Sequence, residues 1–350
     1  MSEQMTRLEQ GLLHLRRFTD ATYAYLMGRQ VDELRERWRR TQELMGESIR
    51  RVDLHSHTTY SDGTASVAEM DEWRQRTGID VLGITDHNTL VQADDCRRYP
   101  QLLVGEEVTG EHHHVLIHFP ESLIMPVHQL AGEVENIRRQ QRIPLIAHPT
   151  GWMGRVYEAT RIDAVRMLSG PFLMEIANGA GNWYDYRDST DESARGLWDE
   201  LLLAGIPVIA TGNSDAHRGA NVGLVWNGVP TAAEDPGAIY QALLSGCGFV
   251  SNGPAVVVSA DGMAPGSPAI VPQRQLALHI RTADSAGLAR WRVVGDGSTV
   301  QEGDCGGKTL LDVNLDLPAG HVRSYRVEIV SSDGRQAFSN PFRFSLQSDV

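Results

Sequence analysis

Apolar residues recur at helical spacing through the first stretch of the chain, at Leu8, Leu12 and Leu15 and again at Leu26, Val31, Leu34 and Trp38. The spacing predicts an N-terminal helical segment over 1–48, two helices broken near Gly28, laid as cover on the bottom or side of the next domain. Coiled-coil pairing is the competing reading, but the pattern is too short for several sustained heptads. From residue 51 to about 250 the pattern changes to short apolar runs separated by amphipathic stretches. The runs Arg51–His57, Asp80–Thr85, Leu102–Val108, His113–Phe119, Ile143–His148, Phe172–Ala177 and Pro207–Gly212 read as strands. Ser66-Val67-Ala68-Glu69 has the form of a capping box opening the first helix between them, and Asp191–Ala204 is an amphipathic run that stops at Gly205. Alternating strand and helix implies a parallel sheet, and this many units points to an α/β fold closed as a distorted (β/α)7 barrel over 49–252.

After Gly246 the texture changes again. Ala255–Ser259, Leu276–Arg281, Trp291–Val294, Leu310–Leu315, Arg323–Val330 and Phe342–Leu346 alternate apolar and polar, with turns at Asp261-Gly262, Gly295-Asp296-Gly297 and Ser332-Asp333-Gly334. The pattern predicts a C-terminal antiparallel β-sandwich over 253–350, joined through Ser251-Asn252-Gly253-Pro254. A chain of 350 residues exceeds the usual size of one core, which fits a large domain with a smaller appendage.

A formal net charge of −13 argues against a non-specific nucleic-acid or membrane-surface binder, because nothing steers the whole molecule toward phosphate polymers. A local cationic metal cluster could still hold an anion. Cys96, Cys247 and Cys305 are odd in number, widely spaced and form no C-x-x-C pair, so neither a disulfide framework nor a thiolate zinc site is expected. The start of the chain shows no apolar signal core and no stretch approaches membrane-spanning length, which makes a reducing cytoplasm the expected location.

The chemistry sits at the ends of the apolar runs: Asp53, His55 and His57, Asp62, Asp86 and His87, Glu107, His114, His148, Asp215 and His217. Neutral imidazole and ionised carboxylate hold Zn2+, Mn2+ or Fe2+ while leaving positions open to water, and strand ends are where a barrel enzyme places its chemistry. Side chains two apart on a strand share a face, so His55 and His57 can chelate one ion. A lone H-x-H pair carries little weight. Its recurrence with His87, His148 and His217 at later strand ends carries more. No nucleophile elbow, Ser-His-Asp spacing, P-loop or dinucleotide glycine fingerprint is present, so covalent and organic-cofactor chemistry are not expected.

These residues resemble the motifs of the PHP superfamily, the polymerase and histidinol phosphatase metallohydrolases, across roughly residues 51–250. His55-Ser56-His57 with Ser61-Asp62-Gly63 is similar to the first motif and Thr85-Asp86-His87-Asn88 to the second. Gly105-Glu106-Glu107-Val108 with His114 is similar to the third, Ile146-Ala147-His148-Pro149 to the next and Gly212-Asn213-Ser214-Asp215-Ala216-His217 to the last. The piece from Trp198 to Gly262 with the trailing β domain resembles the CehA/McbA branch, which includes carbaryl-type carbamate hydrolases.

The resemblance implies a first ion held by His55, His57, Glu107 and Asp215, a second by Glu107, His114 and His148, and a third by Asp62, His87 and His217. Some relatives carry histidine where Asp62 stands, so the third site is harder and more oxygen-rich here. Within Glu106-Glu107 only one side chain can reach the mouth, and the match to Gly-x-Glu favours Glu107. Strand alternation places His112, His114 and His118 on one face and His113 on the other; the motif selects His114, with His112 kept as a substrate-side candidate. Asp86 is expected to orient rather than ligate. His14, His128, His279 and His321 are expected to be solvated or structural.

The implied activity is divalent-metal-dependent hydrolysis of a small molecule by a metal-bridging hydroxide, using two or three ions, with Glu107, Asp215 and His217 in the catalytic set. Superfamily frequency favours a phosphoester (phosphatase or phosphodiesterase action). The closer branch offers an aryl carbamate or ester instead. A non-catalytic metal-binding scaffold is the competing class, opposed by a ligand-type residue at every motif position. Trp152, Arg155, Trp183 and Arg218, with Tyr184, Tyr186 and Arg187, are the expected pocket residues, arginine for an anion and tryptophan for a ring. The duller reading of such loop aromatics is that they pin the loop to the scaffold.

Overall fold

A computed structural model describes residues 30–150, 155–180, 187–267, 275–318 and 322–344. Helix α1 covers residues 30–45, so the second expected N-terminal helix is present and the first lies outside the described residues. All seven expected strands form: β1 (Ile49–Asp53), β2 (Val81–Ile84), β3 (Leu102–Thr109), β4 (His114–His118), β5 (Leu145–Ile146), β6 (Phe172–Asn178) and β7 (Val208–Asn213). Between them lie α2 (Val67–Thr77), α3 (Ala93–Cys96), α4 (Leu130–Arg139), α5 (Arg155–Arg166) and α6 (Arg187–Leu203). The capping box holds: Ser66 Oγ accepts from Glu69 N at 3.3 Å, while Glu69 Oε2 accepts from Ser66 N at 2.7 Å.

The expected all-parallel sheet is corrected at one strand. β1, β2 and β3 run parallel, as do β5, β6 and β7, but β4 is antiparallel to both β3 and β5. Residues 110–113 join β3 to β4, and so short a link permits a hairpin but no crossover. Closure is also unlike a simple ladder. Asn227 lies on β8 (Trp226–Pro230), which pairs antiparallel with β1. Its Nδ2 donates to Val52 O at 3.1 Å and Gly212 O at 2.8 Å, and its Oδ1 accepts from Gly212 N at 2.9 Å. Asn213 Oδ1 accepts from Leu54 N at 2.9 Å, so two side-chain amides join β7 to β1 where strand pairing would otherwise do so.

Beyond β8 the sheet continues through β9 (Phe249–Ser251), which follows α7 (Pro236–Leu244), into the C-terminal region. That region holds β10 (Ala255–Ala260), β11 (Gln275–Ala283), β12 (Leu288–Gly295), β13 (Ser298–Asp304), β14 (Leu310–Pro318), β15 (Ser324–Ser331), β16 (Gln336–Ser339) and β17 (Phe342–Arg343). One layer, β13-β12-β15-β16, joins the barrel sheet where β16 pairs with β9; the other is β10-β11-β14. Val256, Leu278 and Ile280 from one layer meet Val293, Tyr325 and Val327 from the other, and this core runs on into Trp226, Phe249, Leu82 and Met70. The sandwich is therefore present as an extension of the barrel's own sheet. β8, β9, β13 and β16 were not expected; β13 in particular is a polar, exposed edge strand with no apolar face to betray it.

Helix α1 sits at this junction. Trp38 packs edge-on against Trp226, ring centroids 4.6 Å apart, and the buried Arg51 guanidinium lies over both rings. Arg37 ties the helix to Asp284 and Asp333 of the sandwich. Among the described residues no helix is long and apolar enough to cross a membrane.

Candidate metal centre

The β1 strand delivers His55 and His57 to the mouth with their rings on one side, as strand alternation requires. Asp53 anchors this end: it accepts from Ser214 N at 3.0 Å and Ser214 Oγ at 2.5 Å, which ties the β1 terminus to the loop carrying Asp215. After His57 the chain folds back tightly, and Gly63 is required because a Cβ there would meet His57 O at 2.3 Å. Asp86 holds that loop, accepting from Thr58 N at 2.7 Å, Thr58 Oγ1 at 2.8 Å and Ser61 Oγ at 2.6 Å, and so sets the position of Asp62.

Glu107, fully buried on β3, is the hub. Its Oε2 lies 3.0 Å from His87 Nδ1, 3.2 Å from His57 Nε2 and 3.3 Å from His55 Nε2. Its Oε1 lies 2.8 Å from His114 Nδ1 and 3.3 Å from His148 Nε2. Asp215 Oδ1 approaches His57 Nε2 at 3.1 Å and His55 Nε2 at 3.4 Å. Farther out, Asp62, half exposed at 50%, reaches His217 Nε2 at 3.1 Å, His87 Nε2 at 3.6 Å and His57 Nδ1 at 3.7 Å. His148 and Asp215 adopt left-handed backbone, φ 26° and 48°, a conformation that non-glycine residues take up mainly where the surroundings impose it.

All nine ligand-type residues expected from the sequence are thus brought together. Their ligand atoms fall into four groups, each mutually within 4.8 Å: His57, Asp62, His87 and His217; His55, His57 and Glu107; His55, His148 and Asp215; His87, Glu107 and His114. The grouping differs from the implied partition in that His57 also faces the outer group, His114 groups with His87 as well as sharing Glu107 Oε1 with His148, and Asp215 groups with His55 and His148. The residues suit a cation. Glu107 Oε2 and His57 Nδ1 are buried and make no hydrogen bond, although imidazole nitrogens crowd around the carboxylate oxygen.

The neighbours fall as strand alternation requires. Glu106 points away and accepts from Ile124 N at 3.0 Å; burial pushes its carboxyl up to about 7, with Glu133 adding to the shift. His113 Nε2 lies 2.9 Å from Glu133, and His112 lies 3.7 Å from Glu111. His118 donates to Leu54 O at 2.9 Å, and burial lowers it to about 4, so it is neutral. His128 is exposed and His279 pairs with Asp312, while His14 and His321 lie outside the described residues. Arg218 follows His217 directly and is half-buried. Trp152, Trp183, Tyr184 and Tyr186 lie outside the described residues; Arg155 and Arg187 open α5 and α6, with side chains likewise outside them. Sequence reasoning missed Glu175 on β6, which accepts from His55 Nδ1 at 2.9 Å. A lone carboxylate inside the apolar run Phe172–Ala177 was the available signal.

Without metal the cluster is a set of ion pairs. Burial opposes charge throughout, yet the surrounding imidazoles of His55, His114 and His148 hold Glu107 well below the usual carboxylate range, and His55 is in turn held well above the usual imidazole range by Asp215 and Glu107. For His217, burial acts to lower the pKa, but Asp62 and Asp215 outweigh it and raise it from 6.5 to about 9. A raised folded-state value means that this pairing stabilises the metal-free protein fully below about pH 6.5 and is lost as pH rises through about 9. A ligating imidazole must give up that proton. Metal uptake by the metal-free protein is therefore expected to release protons and to tighten as pH rises from 6.5 to 9. Calorimetric titration with Zn2+ in buffers of different ionisation enthalpy measures this, and buffer-independent heats would contradict it.

An α/β barrel with histidines and carboxylates converging at its strand ends defines the class. Residues 53–147 match the PHP domain and residues 205–247 the PHP-associated family. No curated protein matches it. Among solved structures it is similar to a two-domain protein from Bacteroides vulgatus described as containing a predicted PHP-like metal-dependent phosphoesterase, at 14% identity, over 87% of this chain and 96% of that one, TM-score 0.46. It is also similar to PsfC from Pseudomonas syringae, at 14% identity over 54% of this chain and 85% of that one, TM-score 0.39. An amidohydrolase from Chromobacterium violaceum matches at 17% identity over 49% of this chain and 89% of that one, TM-score 0.35.

Proposed function

We propose that this protein is a divalent-metal-dependent hydrolase acting on a small anionic phosphoester. The carrying observation is the convergence of eight ligand-type side chains around a ninth, the buried carboxylate of Glu107. His55, His57, Glu107 and Asp215 would hold one ion, His114 and His148 with Glu107 a second, and Asp62, His87 and His217 a third, with Mn2+, Zn2+ or Fe2+ fitting imidazole and carboxylate donors. Bound divalent ions supply an activated water near neutral pH and neutralise charge that develops on the substrate. The protein's part is to arrange them: β1, β3 and β7 present their side chains from rigid strand ends, and Asp86 and Asp53 fasten the loops that carry Asp62 and Asp215.

The charge balance favours an anion where three ions are bound. Three ligand carboxylates, Asp62, Glu107 and Asp215, and the buried Glu175 behind His55 are outweighed by three divalent ions but only matched by two. Arg218, next to His217 in sequence and half-buried, is the cation proposed to meet that anion. Aryl carbamate or ester hydrolysis of the CehA/McbA type is the alternative, resting on the sequence resemblance over 198–262.

A panel of aryl phosphates, phosphodiesters, aryl esters and aryl carbamates, assayed with metal-replete enzyme, tests the proposal. Phosphoesters should be cleaved fastest, and Arg218→Ala should lower kcat/KM for them by about 10–100-fold, the worth of a charge-assisted contact. Carbamates or esters cleaved far faster than every phosphate, with Arg218 dispensable, would overturn the substrate class and leave the metallohydrolase assignment standing. Purified, metal-replete protein with no turnover of any of these substrates would support a non-catalytic scaffold instead.

A further inference from the structure

Glu175 lies on β6, on the barrel wall behind His55, with 1% of its surface exposed. Its Oε1 accepts from His55 Nδ1 and from Asn213 Nδ2, each at 2.9 Å, and its Oε2 accepts from the backbone N–H of His148 at 2.8 Å and from Asn178 Nδ2 at 2.7 Å. Four donors thus converge on one carboxylate from the segment just after β1, from β6, from β7 and from the turn after β5. With both oxygens engaged in this way, Glu175 is placed to hold ligands rather than to be one.

The consequence for His55 is directional. An imidazole whose Nδ1–H is given to a carboxylate presents Nε2 as the ligating atom, and here Nε2 faces Glu107 Oε2 at 3.3 Å and Asp215 Oδ1 at 3.4 Å. The consequence for His148 is conformational. That residue turns through φ 26°, and the bond from its backbone N–H to Glu175 pins the turn that aims its ring toward Glu107. Asn178 links the same carboxylate to Asp215 Oδ2, 3.4 Å from its amide nitrogen.

We propose that Glu175 is the positioning residue of the metal centre, setting the ligating nitrogen of His55 and the backbone turn of His148 through one buried carboxylate. This rests on the metal-centre reading above.

The test is Glu175→Gln, which keeps shape but turns an amide toward groups that are themselves donors. Zn2+ affinity, measured by chelator competition on the folded, metal-free protein, should fall roughly 10–100-fold, as for loss of a carboxylate behind a ligating histidine. In Zn2+-loaded, 15N-labelled protein, the exchange-protected Nδ1–H signal of His55 should be present in the wild type and lost or shifted in the variant. A merely structural role would lower the melting temperature of the metal-free protein and leave both readouts unchanged. If Glu175→Gln does not fold, Glu175→Asp carries the test, because it keeps the charge but withdraws it from His55 and should also weaken Zn2+ binding. Wild-type affinity and an unchanged His55 signal in whichever variant folds would overturn the proposal. Wild-type protein that binds no Zn2+ would instead overturn the metal-centre reading itself.

Discussion

Glu107→Ala is expected to abolish hydrolysis and to lower bound metal at more than one position. Five imidazole nitrogens lie within 3.3 Å of its two carboxylate oxygens, so its removal withdraws the shared anion from all of them at once. The Lewis-acid contribution it supports is worth several kcal/mol, so a loss in kcat of about 10^3-fold or more is expected. His55→Ala and Asp215→Ala should act in the same direction. Elemental analysis beside the assay separates lost metal from lost chemistry. Full activity with unchanged metal stoichiometry in Glu107→Ala would remove Glu107 from the centre of the site.

A chain ending at residue 254 is expected not to fold, although every proposed ligand precedes that point. β9 pairs with β16 through Ser251–Ala337, Val250–Phe338 and Phe249–Ser339. Asn340 donates to Ala210 O at 3.2 Å and Gly248 O at 3.3 Å and accepts from Ala210 N at 2.8 Å, while Arg326 covers Trp198 at 4.8 Å and pairs with Asp199. Truncation uncovers apolar faces of Trp198, Trp226, Phe249 and their neighbours. Losing the burial of about five such side chains costs on the order of 10 kcal/mol, comparable to the whole stability of a domain, about 5–15 kcal/mol. Circular dichroism and thermal melting of the truncate check this. A soluble truncate that melts cooperatively and binds metal like the full chain would show that the barrel is self-sufficient.

Much of the site was legible because metal ligands are a local signature. His55 and His57 share a strand face, Glu107 and Glu106 must point apart, and His114 and His113 likewise; alternation alone separates these pairs, and the structure agrees with it at each. Glu175 was not legible in the same way. Its role comes from four donors that are remote in sequence or belong to the backbone, and nothing in Phe172–Ala177 shows what faces it.

The sequence by itself determined the seven barrel strands, most strands of the sandwich, helices such as α2 and α6, and which ligand-type side chains stand at the barrel mouth, though not β8, β9, β13 or β16, since periodicity and capping are properties of neighbouring residues. Only the tertiary structure decided strand direction and closure. β4 runs backward because its link to β3 is too short to cross over, and Asn227 joins β7 to β1 by its amide instead of a ladder. It also decided that the sandwich continues the barrel sheet through β9 and β16, and that four overlapping ligand groups share Glu107, His55, His57 and His87. Those outcomes depend on which surfaces meet, and a one-dimensional pattern records only which face each residue turns, not the partner it turns to.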